Sequence, residues 1–320
     1  ANPACSQNAT PQCFTTIQAA IQFAQDVIAS SATTTNFSVL VEPGTYPGGI
    51  TLGSNIPIRG RETARTVIVG GGGPAITAAN GVSNVSVSNF TIMDASVGID
   101  INNASVAINN NIFTVGVSGL AIQIQAQTTA APPIINNTFS QNGTAIRSTS
   151  DVTIKNNIFS FNTNALFAVS PLAAFSQVLY NVFHQNTSDG FVVSLIDPAS
   201  TNIPNVSQLI TDPLFVDETS RPPDMDLHFE FASPQSPCID NGENATAVND
   251  FDGTRNDIGA YGGPGADTIP FPVSGLENLG VDEDPGSNPR TFSVSLSWEQ
   301  NFSYLISNGA KPGGYNLHYS

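Results

Sequence analysis

Few side chains in this sequence are suited to chemistry, and they lie far apart. Between residues 66 and 220 the basic groups are Arg147 and Lys155, joined by His184. Removing a proton beside a sugar carboxylate needs a Lys, Arg or His base and a cation or Ca²⁺ to neutralise charge. Lys155 stands four residues before Phe159, at a position held by Ile135 one repeat earlier and Leu179 one repeat later, so no second cation stacks beside it. Arg147 can pair with Asp151 as an ordinary surface ion pair. If such chemistry occurs, Lys155, Arg147, Asp151 and His184 are the residues to carry it. Glycoside hydrolysis instead needs two carboxyl groups roughly 5 to 9.5 Å apart. The spacing of Asp94, Asp100, Asp151 and Asp189 gathers no such pair on one face, and they read as solvated carboxylates.

Asp250, Asp252 and Asp257, with Gly253 at a turn, form a D-x-D-G-x-x-x-D loop. Alternating carboxylates are the ligands Ca²⁺ takes, although the closing Glu of a full calcium loop is missing. A hydrogen-bonded closure competes with the metal. Zinc is disfavoured because His184, His228 and His318 are scattered and the Cys spacing is wrong. No nucleophile elbow, phosphate loop or dinucleotide fingerprint is present, so the expectation is no cofactor, with calcium at Asp250, Asp252 and Asp257 as the alternative.

These groups sit in a polar but weakly charged chain. Charged residues are 11% of the 320, and 9 Lys and Arg against 25 acids give a net charge of −16. Phosphate neutralisation needs clustered cations, so nucleic acid is excluded as a partner. No apolar run approaches the roughly 18 residues of a membrane span. Cys5 and Cys13 read as a small disulfide clip, with free thiols as the alternative. Cys238 reads as a buried small hydrophobe. The opening at Ala1 without Met or a basic leader suits an exported, mature product, while the eleven Asn-x-Ser/Thr sequons are what so Asn- and Ser/Thr-rich a chain contains largely by chance.

The elements that must hold these groups are legible from periodicity. Residues 1–36 form an N-terminal cap, in which Ile17, Ala20, Ile21, Ala24 and Ile28 share one helical face and Thr15 or Thr16 can cap the helix. A helix there covers the open end of a solenoid. A repeat follows on Phe90, Phe113, Phe139, Phe159 and Phe183, spaced by 23, 26, 20 and 24 residues. Five residues before each stands Val85, Ile108, Ile134, Ile154 or Val178; two before stands Ser88, Asn111, Asn137, Asn157 or Asn181. Short strands that cannot bury an apolar edge alone must stack, at about 4.8 Å per rung. The expected fold is therefore an all-β right-handed parallel β-helix over residues 37–263. A Phe stack should lie inside, and corner Asn residues should accept left-handed backbone and bond their copies. Residues 264–290 read as a Pro, Gly and acid-rich linker, and 291–320 as a two-stranded tail.

The repeats, the entry VEPGTYPGGITL and the segments TDPLFVDETSRPPDMDLHFEFASPQSPCIDNG and DFDGTRNDIGAYGG make the chain resemble the pectate-lyase-like right-handed β-helix superfamily. The closing segments look like the terminal coil of bacterial surface β-helix proteins. The tail resembles the opening of a fibronectin type III module, with Trp298 and Tyr315 at core aromatic positions. The resemblance implies export and the fold, but the superfamily spans lyases, hydrolases, adhesins and structural spikes. The expected role is an extracellular structural or adhesive protein whose partners are its own copies, cell-surface components or neutral polysaccharide. A polysaccharide lyase or glycoside hydrolase is the alternative.

Overall fold

The computed structural model describes residues 13–30, 37–125, 133–150, 152–169, 177–192, 208–220, 225–229, 234–267, 274–284 and 291–299. Two compact units divide the chain after Asp267.

In the first unit three parallel sheets run side by side. The first holds seven strands, from Val39–Val41 to Gln177–Leu179; the second holds eight, from Gly44–Pro47 to Leu209–Ile210; the third holds seven, from Ile50–Thr51 to Ser188–Val192. Each coil gives one strand to each sheet, so strands of the other two sheets provide the crossover that parallel pairing requires. Inside, side chains stack on their equivalents. The rings of Phe113, Phe139, Phe159 and Phe183 lie 4.9, 5.0 and 5.1 Å apart and within 13° of parallel. Across from them Ile99, Ile122, Ile146 and Leu166 form an aliphatic ladder. A row of small residues beside it, Gly98, Ala121, Ala145 and Ala165, leaves room for the rings. A Cβ on Gly98 would stand 3.2 Å from the Phe113 ring and 2.5 Å from the Ala121 carbonyl oxygen.

Asn residues hold the corner between the first two sheets. The Oδ1 of Asn137 accepts the backbone NH of Asn111 at 3.0 Å, and its Nδ2 donates to the carbonyls of Ile108 and Ile135. Asn157 and Asn181 repeat this pattern. The left-handed backbone, however, lies one residue earlier, at Asn110, Asn136, Asn156 and Tyr180. One residue cannot both take that turn and aim its amide along the stack, so two adjacent residues divide the work.

Phe90 also departs from the expected alignment. Phe113 pairs with Ile92 and Ile108 pairs with Val87, so the Phe90 coil is offset by two residues. Strand hydrogen bonding sets the register, and an aliphatic Ile92 fills the core position as well as an aromatic does. Phe90 is fully buried at the place Asn111 takes in the next coil, and its NH donates to Asn111 Oδ1.

The ends of the solenoid are treated differently. Helix α1 (Ile17–Ser30) buries Ile17, Ala20, Ile21 and Ala24, and Thr16 Oγ1 caps it by accepting the Ala19 NH. The Gln18 amide pairs with the backbone of Thr51, occupying the edge of the third sheet. Cys13 is disulfide-bonded; Cys5, its expected partner, lies outside the described residues. Past Ile210 the chain leaves the coil. Phe215–Asp217 pairs antiparallel with Asp226–Phe229, and residues 256–267 run back across the coils. Asn156 and Asn136 bond to residues 257–259, Asn110 to Ala260 and Gly262, and Asn89 to Gly265, while Asp267 accepts the Thr63 NH. The stretch expected to finish the coil is therefore a strap laid over it. The Gly259 φ of +108°, with a Cβ position 2.6 Å from Ile158, lets the strap lie that close.

In the second unit Ser274–Asp284 pairs antiparallel with Thr291–Glu299. A strand thus occupies part of the expected linker, whose prolines all fall outside residues 274–284. The GYNLHY segment with Tyr315, and His318, lie outside the described residues.

Candidate functional site

The three sheets face different ways, and this separates the residues named for base chemistry. Lys155 is on the first sheet, in register with Ile135 and Leu179. Its Nζ stands 2.8 Å from Glu243 Oε1, with both side chains mostly buried, so it anchors the strap side of the molecule. Arg147 is on the third sheet and donates to Gln123 Oε1 at 3.3 Å; Asp151 lies outside the described residues. His184 is on the second sheet. Lys155, Arg147 and His184 therefore do not converge, because register stacks residues within a sheet and never across sheets. The carboxylates also stay apart. Asp94 is exposed at a left-handed corner, and Asp189 stands between Ser188 and Gly190 of the last coil, where it accepts Asn186 Nδ2.

The third sheet carries an outward row that spacing alone did not single out. Thr77, Asp100, Gln123, Arg147 and Phe167 occupy one register position on successive coils. Gln123 and Gln125 both donate to Asp100 Oδ1, at 3.3 and 2.8 Å, and Gln123 accepts from Arg147. These groups are half-buried and already joined to one another, so their orientation is set before any ligand arrives. The signal was present in sequence: each strand reads x-Ala/Gly-Ile/Leu-x-Ser/Ala/Ile, and the fourth position points out. Among the described residues this row has one carboxylate and one guanidinium, two coils or about 10 Å apart. Among the described residues the row is thus a set of joined hydrogen-bonding groups with one carboxyl, where glycoside hydrolysis uses two.

The acidic loop closes differently from its sequence pattern. Asp250 and Asp257 come together with Asp240, their oxygens within 4.8 Å of one another. Asp252 is not part of that group; its Oδ1 accepts the backbone NH and hydroxyl of Thr254. Asp250 accepts the NH groups of Asp257 and Gly263, and Asp257 accepts that of Asp240. Burial above all, then the charge of Asp250, pushes the Asp257 carboxyl up to about 8. Burial likewise raises Asp250, to about 6. Two such carboxyls share a proton or a cation. Nearby Cys238 is free and buried, and burial pushes its thiol up to about 12, which makes it inert.

His184 has its own surroundings. Its Nε2 lies 3.8 Å from Glu218 Oε1 and 3.9 Å from Asp212 Oδ1. The Phe161 ring meets the imidazole edge-on at 5.4 Å, and Glu218 Oε2 accepts the Ser160 hydroxyl. Burial raises the Glu218 carboxyl.

Residues 75–203 match the family model of the right handed beta helix region. No curated protein matches the sequence. Among solved structures, a pectin methylesterase in complex with hexasaccharide VII is 16% identical over 59% of this chain and 65% of its own, with a TM-score of 0.25. An alginate lyase complex with trisaccharide is 13% identical over 53% of this chain and 51% of its own, with a TM-score of 0.28. The chain thus spans under two thirds of the length of each. With parallel sheets in register through its coils and this family match, the protein carries a right-handed β-helix region.

Proposed function

We propose that this protein is an extracellular, non-catalytic β-helix that adheres to neutral glycans along its third sheet. The observation that carries the reading is the preset row Asp100, Gln123, Arg147 and Phe167, with Gln125 beside it. Planar amides, a guanidinium and an aromatic ring are the groups that hydrogen-bond and stack on sugar rings. They recur once per coil, in keeping with a chain of repeating units lying along the solenoid axis. The disulfide at Cys13 supports an oxidising, extracellular setting. The competing reading, a polysaccharide lyase or glycoside hydrolase, needs a base beside a cation or a carboxyl pair on this face.

The test is a glycan-array screen followed by titration of the best neutral oligosaccharide into wild type, Arg147→Ala and Gln123→Ala. Each variant should lose roughly tenfold in affinity or more, as truncation of a central contact does. Binding that ignores both substitutions would overturn the proposal. Unsaturated-uronate absorbance from pectate, alginate or chondroitin would promote the enzyme instead.

A further inference from the structure

We infer that His184, Asp212 and Glu218 form a binding site for a divalent transition-metal ion of the Zn²⁺ class, which fastens the segment after the last coil onto the second sheet. The three side chains come from sequence positions too scattered to read as a metal motif, and folding brings them together. One ligand atom from each lies within 4.8 Å of the other two.

The distances favour a shared ion over a simple ion pair. At 3.8 and 3.9 Å, the imidazole nitrogen is too far from either carboxylate oxygen for a hydrogen bond. Ligands about 2.1 Å from a tetrahedral ion stand roughly 3.4 Å from one another, so a modest inward shift completes the set. The donors are held from behind. Phe161 fixes the imidazole plane, Ser160 holds the other Glu218 oxygen, and the Leu214 NH donates at 2.8 Å to Asp212 Oδ1, the same oxygen that faces His184 and that keeps a second lone pair for an ion. Gln141 Nε2 donates to the Glu218 carbonyl and fixes the segment itself. The His184 and Glu218 side chains are 10% and 15% exposed, whereas Asp212 is 51% exposed and leaves one side open for water.

The donor set also selects the ion. An imidazole nitrogen with two carboxylates suits Zn²⁺ or a neighbouring transition metal, whereas Ca²⁺ and Mg²⁺ take oxygen ligands. The amide of Gln185 lies 3.1 Å from the same nitrogen and is the group a metal would displace. Position gives the site a purpose. His184 belongs to the last full coil, and Asp212 and Glu218 flank Phe215, whose strand opens the covering segment.

The test uses the full chain, stripped with EDTA and titrated calorimetrically with ZnCl₂, and with CaCl₂ for comparison. One Zn²⁺ per chain should bind, melting should shift upward as Zn²⁺ saturates, and X-ray absorption should show nitrogen and oxygen but no sulfur. His184→Ala and Asp212→Asn should each weaken Zn²⁺ by at least about tenfold, while Asp257→Asn should not. Asp212 is exposed, so its variant keeps the proposal falsifiable if His184→Ala fails to fold. Absence of saturable Zn²⁺ binding, or wild-type binding in a folded Asp212→Asn, overturns the inference and leaves an ion pair. Neither result bears on glycan affinity at the third sheet.

Discussion

The second and third sheets are built from the same coils and the same core, yet one is closed and the other open. On the second sheet every residue of Ile112–Thr114, Thr138–Ser140 and Ile158–Ser160 is buried, because the stacked rings fill the inner face and the strap covers the outer one. On the third sheet Leu120–Ile124, Thr144–Ser148 and Asn164–Ala168 bury the same three positions and leave the first and fourth half-exposed. The contrast shows in composition. Outward positions of the closed sheet are Ile112, Thr138, Ile158 and Val182 before each core residue and the small polar Thr114, Ser140 and Ser160 after it, with His184 on the last coil; the fourth strand position of the open one holds Asp100, Gln123, Arg147 and Phe167. Stability is concentrated where both faces pack, and the proposed recognition falls to the face where only one does.

Substitutions on the closed sheet should therefore be the most damaging. Phe159 touches a ring on each side, and Phe159→Ala leaves a cavity that neighbouring coils cannot close. It should cost about 3 to 5 kcal/mol in chemical denaturation. A loss below about 1 kcal/mol would mean the stack relaxes and the two sheets are alike. The strap comes next. Asn136 donates to Asn256 Oδ1 and to the carbonyls of Asp257 and Gly259 from a left-handed backbone at φ 54°. Asn136→Ala strands those acceptors and strains the turn, for roughly 2 to 3 kcal/mol. Hydrogen exchange should show the strap's amides opening before those of the coil.

The sequence exposed the repeat and hid the strap for the same physical reason. Coils are periodic, and an identical core position selects Phe139, Phe159 and Phe183 each time. A second ladder, Asn142, Asn162 and Asn186, was equally readable, three residues after each of those rings. A type-based alignment failed only where the type changed while the environment did not, at Ile92. The strap has no period. Its bonds join residues more than a hundred positions apart, as between Asn136 and Asn256, and local propensity does not record them. The outward row of the third sheet is intermediate. Its spacing follows the strand pattern, but Asp100, Gln123 and Arg147 differ in type and so make no repeated letter.

A third, smaller effect is a pH dependence confined to the closed side. Asp250 and Asp257 titrate near 3.8 when unfolded and are raised in the native loop by burial. The native state thus holds a proton that the unfolded chain gives up. Stability from the pair is full below about pH 4 and declines as pH rises toward 8. In EGTA, the melting temperature should fall across that range in wild type and fall less, and only up to about pH 6, in Asp257→Asn, which keeps the buried Asp250 and whose amide can still donate to it and accept the Asp240 NH. If Ca²⁺ replaces the proton, adding it at pH 8 should restore wild type alone. A wild-type profile no steeper than the variant's would show that the pair is not buried as described.

The smallest expected effect on stability is also the sharpest probe of the comparison. Arg147 is half-buried on the open sheet, and its observed bond is a single 3.3 Å contact to Gln123. Removing the guanidinium leaves no buried group without water, so Arg147→Ala should change unfolding free energy by no more than about 0.5 kcal/mol. Gln123→Ala should behave alike, since Gln125 keeps its own 2.8 Å bond to Asp100. The measurement is a denaturant midpoint at unchanged slope, beside Asn136→Ala from the closed side. If Arg147→Ala costs as much as Asn136→Ala, the row is a structural network like the corner ladders, and the open face has no spare polar groups with which to recognise a ligand. If it costs nothing, the row has no duty in folding and its polar groups stay free to meet water or a ligand, and the glycan titration decides between those two.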